Sequence, residues 1–112
     1  MNRPEVWLKG ELQAQEYLKK HKYKILESNY NSPLGEIDII AKIKDVIVFV
    51  EVKSRSSLRF GAPREAITKD KQQHIKRTAE LYLKRNRMLK SKVRFDCIEI
   101  LAGELTHYEN IF

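Results

Sequence analysis

Gly35-Glu36-Ile37-Asp38-Ile39-Ile40-Ala41, followed after Lys44-Asp45 by Val46-Ile47-Val48-Phe49-Val50-Glu51-Val52-Lys53-Ser54-Arg55, decides how this chain folds. Both runs are short, rich in Ile and Val, and bounded by breakers or charge, which reads as two strands. The short link predicts an antiparallel hairpin, one arm from about Glu36 to Ile43 and the other from Val46 to Arg55. Apolar side chains on both faces put these strands in the middle of a covered sheet. Into that background the sequence sets Asp38, Glu51 and Lys53. Side chains alternate along a strand, so Glu51 and Lys53 share a face. A carboxylate and an ammonium there are expensive to desolvate unless they meet a partner, a metal ion or solvent.

Upstream, Pro4 to His21 has helical periodicity. Trp7, Leu8, Leu12, Ala14, Tyr17 and Leu18 fall on one side, and Lys9, Gln13, Glu16 and Lys20 fall opposite. Glu11 breaks the division by sitting near the centre of the apolar face. It either serves a site or reaches water and backbone from the helix edge, because glutamate is rarely buried without a partner. Lys24 to Tyr30 reads as a first strand, and Asn31-Ser32-Pro33-Leu34-Gly35 as a turn.

Downstream, Ser56 to Pro63 is a loop, and Pro63 can open a short helical turn through Ala66-Ile67. Thr68 is a fitting N-cap for a helix to about Arg87, with Ile75, Ala79, Tyr82 and Leu83 as its buried stripe. Its other faces carry Lys69, Lys71, Lys76, Arg77, Lys84, Arg85 and Arg87; such a run is ordinarily a solvated face. Lys92 to Leu101 alternates as a strand, with Phe95, Cys97 and Leu101 on one face and Ile98 and Ile100 on the other. Cys97 reads as a small buried apolar residue. Gly103 turns the chain into a last edge strand, Leu105 to Phe112, where His107 and Tyr108 read as packing residues. The order α-β-β-β-α-β-β predicts an α/β fold. A central mixed sheet with a helix on each side makes a three-layer α/β/α domain spanning 1–112.

The 112 residues suffice for one modest core, and 42% hydrophobic with 33% charged residues argues against disorder. A single cysteine excludes an internal disulfide and a cysteine-based zinc site. Neither a signal-peptide core nor an apolar run of spanning length is present, so the expected setting is cytoplasmic, without membrane association. The net charge of +7 favours a polyanion partner, DNA or RNA.

Two carboxylates at the ends of adjacent strands make a hard-oxygen site suited to Mg²⁺ or Mn²⁺. Such an ion acidifies a coordinated water and neutralises charge growing on a phosphoryl group. In this reading Asp38 and Glu51 hold the metal, and Lys53 orients water or holds the scissile phosphate. Glu11 adds a water-mediated ligand or proton acceptor. Lys69, Lys71 and Lys76 of the second helix, with Arg55 and Arg59, hold neighbouring phosphates. The bland alternative is an Asp38–Lys53 or Glu51–Lys53 ion pair at a strand end, which stabilises little.

At these residues the chain resembles the PD-(D/E)xK nuclease superfamily, and in detail the YraN-type family of small bacterial proteins. The resemblance covers Gly10-Glu11 with Ala14, Gly35 to Ala41, Phe49 to Arg55, Phe60-Gly61 with Pro63, Lys71, Arg94-Phe95-Asp96 and Asn110-Ile111-Phe112. One departure is Ile37, where the superfamily has proline before the aspartate. The resemblance implies a restriction-endonuclease-like fold similar to archaeal Holliday-junction resolvases. In that superfamily the residues matching Asp38 and Glu51 bind metal, the one matching Lys53 assists catalysis, and the one matching Glu11 is an accessory acid. A homodimer is suggested by analogy with the resolvases. The expectation is a divalent-metal-dependent nuclease acting on DNA, branched or damaged DNA included, in preference to RNA. The alternative is a non-cleaving nucleic-acid-binding accessory module that keeps the fold; a third option is a scaffold whose basic face binds protein.

Overall fold

The computed structural model describes residues 5–55 and 67–112. In chain order these form α1 (Glu5–Lys20), β1 (Lys24–Ser32), β2 (Gly35–Ile43), β3 (Val46–Arg55), α2 (Lys69–Arg85), β4 (Lys92–Leu101) and β5 (Glu104–Tyr108). The strands make one sheet in the order β1-β2-β3-β4-β5. Neighbours are antiparallel except β3 and β4, which run parallel. Hairpin links produce the antiparallel pairs, whereas the helix-bearing segment between β3 and β4 lets the chain re-enter in the same direction. The expected α/β class and element order are therefore seen.

Several boundaries differ from expectation. Asn31 and Ser32 belong to β1, leaving Pro33-Leu34 as the turn, and Gly35 opens β2 at φ 145°. α2 ends at Arg85, not Arg87, because Asn86 caps it through its side-chain amide to Tyr82 O at 2.8 Å. β5 stops at Tyr108, short of the expected Phe112. Beyond it Asn110 adopts φ 54°, Ile111 N–H donates to Phe95 O at 2.8 Å, and Phe112 stacks on Phe95. The C-terminal residues thus fold onto β4 and do not prolong the edge. The loop expected over Ser56–Pro63 and the turn through Ala66 lie outside the described residues.

Among the described residues, each face of the sheet is covered by one helix. Ile40, Ile47, Phe49 and Cys97 pack against the expected stripe of α2, Ile75, Ala79, Tyr82 and Leu83. Thr78 joins that stripe by donating its hydroxyl to His74 O at 2.7 Å. At the start of α2 the Thr68 hydroxyl accepts the Lys71 N–H at 3.1 Å, as an N-cap should. On the opposite face Ile39, Ala41, Val48, Val50, Ile98 and Ile100 pack against Ala14 and Leu18 of α1. Burying a side chain of this size contributes about 1.5–3 kcal/mol, so these two layers hold the sheet between them.

Leu12 departs from expectation. It is 51% exposed, because the face of α1 that meets the sheet is Glu11, Ala14 and Leu18. One residue further along the helix rotates Leu12 by about 100° away from that line. The contribution expected of Trp7 and Leu8 lies outside the described side chains.

Candidate functional site

Pairing between β2 and β3 runs from Ile43–Val46 to Ile39–Val50 and stops there. Past that point β2 continues beside β1 to Gly35, and β3 continues beside β4 to Arg55. The sheet therefore forks between its second and third strands. At the crotch the Asp38 side chain takes over from the backbone ladder, Oδ2 accepting the Val52 N–H at 2.8 Å. The fork opens a cleft of about 280 Å³ lined by Glu11, Glu36, Asp38, Glu51, Val52, Lys53, Ser54 and Lys71.

Both helical layers reach this cleft. Alternation along β3 directs Glu51 and Lys53 together, with Lys53 Nζ 3.8 Å from Glu51 Oε1. Lys71, from the first turn of α2, brings its Nζ to 3.8 Å from the same oxygen. Glu11 arrives from α1 and is buried. Gly10 beside it matters, since a Cβ there would run into Ser54 Oγ; without one, α1 seats closely on β3.

The electrostatics are those of crowded carboxylates. Burial, and then the charge of Asp38, push the Glu51 carboxyl up to about 7, against the pull of Lys71 and Lys53. Among the described residues no three His, Cys, Asp or Glu side chains gather into a cage of their own. The donor set still fits a hard divalent ion that keeps most of its waters and takes one or two carboxylates. Asp38 and Glu51 would hold it, with Glu11 within the same cleft; such an ion would supply the positive charge that the acids call for.

The four residues expected to carry chemistry, Glu11, Asp38, Glu51 and Lys53, thus line one cavity. The expected phosphate contacts are scattered. Lys71 stands inside the cleft, Lys69 is exposed on the first turn of α2, and Lys76 sits on another flank with Nζ 5.8 Å from the Phe112 ring centre. Arg55 does not stand on open surface: its side chain is 13% exposed and its guanidinium is paired with Glu99 of β4. Its Nε and Nη1 are buried without hydrogen-bond partners among the described residues. Arg59 lies outside those residues.

Sequence reading missed Glu36 of the cleft and a second polar cluster on the α1 side. Asp96, wholly buried, accepts Arg94 Nε at 2.9 Å and Nη2 at 2.8 Å, and the Asn110 N–H at 2.9 Å. His107 Nε2 lies 2.7 Å from the same carboxylate, and its Nδ1 lies 3.1 Å from the Tyr17 hydroxyl. Hydrogen bonds from His107, Arg94 and Asn110 outweigh burial and hold the Asp96 carboxyl below its ordinary range. The available signals were Asp96 interrupting an apolar strand, just as Asp38 does, and Arg94 two residues before it on the same face; His107 and Asn110 are too distant in sequence to be read. None of these residues lines the cleft, so the cluster ties α1, β4 and β5 together. Burial pushes the Cys97 thiol up to about 12, consistent with the apolar role expected of it. No described helix is long and apolar enough to cross a membrane.

Comparison with known proteins agrees across nearly the whole chain. A UPF0102 protein of Caldicellulosiruptor saccharolyticus is 51% identical over 100 residues, covering 89% of this chain and 85% of its own length. One from Alkaliphilus oremlandii is 49% identical over 109 residues, covering 92% and 93%. Another, from Syntrophomonas wolfei, is 44% identical over 116 residues and covers both chains in full. The model described as "Uncharacterised protein family UPF0102" matches residues 10–100, from the glycine that seats α1 to Ile100 in β4. The chain belongs to the UPF0102 family.

Proposed function

We propose that this protein is a divalent-metal-dependent nuclease of the PD-(D/E)xK superfamily, with a restriction-endonuclease-like fold, that hydrolyses phosphodiesters in DNA. One observation carries the reading: Asp38, Glu51, Lys53 and Glu11, drawn from two strands and a helix, line a single cleft at the fork of the sheet. A structural ion pair accounts for Glu51 with Lys53, but not for four carboxylates, Glu11, Glu36, Asp38 and Glu51, brought to one notch.

Bound Mg²⁺ or Mn²⁺ would supply a lowered water pKa and charge neutralisation on the phosphoryl oxygens. The chain's own groups do the rest. Asp38 and Glu51 hold and orient, with Asp38 fixed by the Val52 N–H. Lys53, partly exposed, directs its ammonium to a non-bridging phosphate oxygen or to the attacking water. Glu11 accepts a proton through water from the deep side. Lys71 leaves Glu51 for the phosphate when DNA enters. The water oxygen bonds to phosphorus as the P–O bond to the leaving strand breaks, and that oxygen takes up a proton from solvent.

The test is nicking and cleavage of linear, single-stranded and four-way-junction DNA with Mg²⁺ or Mn²⁺, wild type against Asp38→Asn and Lys53→Ala. Cleavage that both substitutions reduce at least 100-fold supports the reading. Salt-sensitive DNA binding without any cleavage would replace it with the accessory-module alternative.

A further inference from the structure

The cleft does not end at the acids. A neighbouring cavity of about 380 Å³ shares Glu36 and Lys71 with it and is otherwise walled by residues 32–35 of the β1–β2 turn and by His74 and Ile75 of α2. A third, of about 290 Å³, shares Leu34 with the second and is walled by Arg77, Glu80, Leu81 and Lys84. Shared lining residues thus set the three hollows in series from the carboxylate cleft along α2, the second and third bordered by the β1–β2 turn, and together they make a trough. Lys71, His74, Arg77, Leu81 and Lys84 recur every three or four residues, so they occupy one flank of the helix. From Lys71 to Lys84 that flank is about 20 Å long.

We infer that this trough is the track for the nucleic-acid strand leaving the cleft, with Leu34 at the hairpin tip packing against an unstacked base. The inference rests on the nuclease reading for the identity of the cleft, but the track's binding stands or falls separately. Three features favour a strand of nucleic acid over a flat solvated face. Lys71 borders both the carboxylate cleft and the hollow next to it, and Arg77 and Lys84 line the hollow beyond. Their run of about 20 Å is long enough to meet several consecutive phosphates of one strand. Leu34 is 44% exposed beside Pro33, an apolar tip standing over a basic wall, which is the pairing that separates bases from phosphates. Glu80 stands between Arg77 and Lys84, so backbone contact is strongest at those two cations and weakest between them. The preferred substrate is then DNA with a helix end, gap or branch beside the scissile phosphate, where a base is already free to leave the stack.

The experiment measures anisotropy of a duplex bearing a single-stranded arm, in the absence of divalent metal, so that cutting plays no part. The doubles Arg77→Glu/Lys84→Glu and Lys19→Glu/Lys20→Glu both lower the net charge from +7 to +3, the second at the exposed end of α1. The track requires the first double to lose about tenfold in affinity and to flatten the salt slope by about 1.4, and the second to lose markedly less. A 2-aminopurine at the first unpaired base should brighten on binding wild type and stay dim with Leu34→Ala. Equal losses in both doubles, no binding by wild type at low salt, or an unchanged 2-aminopurine response in Leu34→Ala would overturn the track. Polyglutamate displacing the armed duplex from wild type, with no 2-aminopurine brightening on DNA binding, would overturn the track and assign the trough to an acidic protein. If wild type binds as expected but never cuts with Mg²⁺ or Mn²⁺, the track survives and the nuclease reading fails. Cutting accompanied by equal losses in the two doubles keeps the nuclease and removes the track.

Discussion

The carboxylate of Asp38 holds the backbone N–H of Val52 at 2.8 Å, just beyond the last paired residues of β2 and β3. The same side chain thus ends the ladder and lines the cleft. Asp38→Ala leaves a buried N–H unsatisfied and should destabilise the fold by about 1–3 kcal/mol. Asp38→Asn retains a carbonyl acceptor for Val52 and should fold with little loss while cleavage disappears. Urea melts beside cleavage assays separate the two; equal stability of Ala and Asn variants would show that the bond does not support the fold.

Glu51 sets a pH dependence opposite to that of most carboxylates. Its folded value of about 7 lies above the ordinary 4.5, so the folded form keeps a proton that the unfolded form has released. The stability tied to that proton is full below about 4.5 and is lost as pH rises to about 7, a difference on the order of 3 kcal/mol. Glu51→Gln should therefore be more stable than wild type at pH 8 and no more stable at pH 4. Mg²⁺ should raise the melting temperature of wild type more at pH 8 than at pH 5, and that of Glu51→Gln little at either.

Asp96 has the reverse sign. Its carboxyl lies below the ordinary range, so its contribution is present above that range and is lost as pH falls through the lowered value. Asp96→Ala leaves Arg94 and His107 facing an empty site and should cost about 3–5 kcal/mol. Chemical denaturation at pH 7 and in the acid range checks it: the wild-type advantage over Asp96→Ala should shrink on acidification.

Arg55 is paired with Glu99, its side chain 13% exposed. Arg55→Ala, which strands a buried carboxylate, should destabilise by about 3–5 kcal/mol, whereas Arg55→Met/Glu99→Met should restore most of that. The salt slope of DNA binding should be the same in the double variant as in wild type. A slope reduced by one contact would make Arg55 a phosphate ligand after all.

Gly35 starts β2 at φ 145°, and a Cβ there would lie 3.1 Å from Thr78 Oγ1. Gly35→Ala should cost about 1–3 kcal/mol through backbone strain, and should also shift the hairpin tip that carries Leu34. The combined signature is a lower melting temperature with weakened binding to armed DNA.

Most of the layered architecture is legible in periodicity. The runs around Asp38 and Glu51 read as central strands, the stripe Ile75, Ala79, Tyr82 and Leu83 reads as a buried face, and Thr68 reads as a cap. These are properties of neighbours within a few residues. Leu12 misleads because hydrophobicity near a face boundary does not say which way the helix is rotated; Gly10 and Ser54 decide that through close packing. Glu11 is legible only as a misfit, and Asp96 only as an interruption, because a buried carboxylate declares itself before its partners do.

Local sequence alone thus determined the α/β order, the Thr68 N-cap, and the alternation that puts Glu51 beside Lys53. Tertiary structure decided that β2 and β3 part after Ile39 and Val50, that Lys71 rather than Lys76 reaches the acids, and that Arg55 turns inward to Glu99. The reason is the range of the forces involved. Backbone preference and side-chain period act over one or two turns, whereas charge pairing and strand divergence depend on groups that only the folded chain brings within a few ångströms.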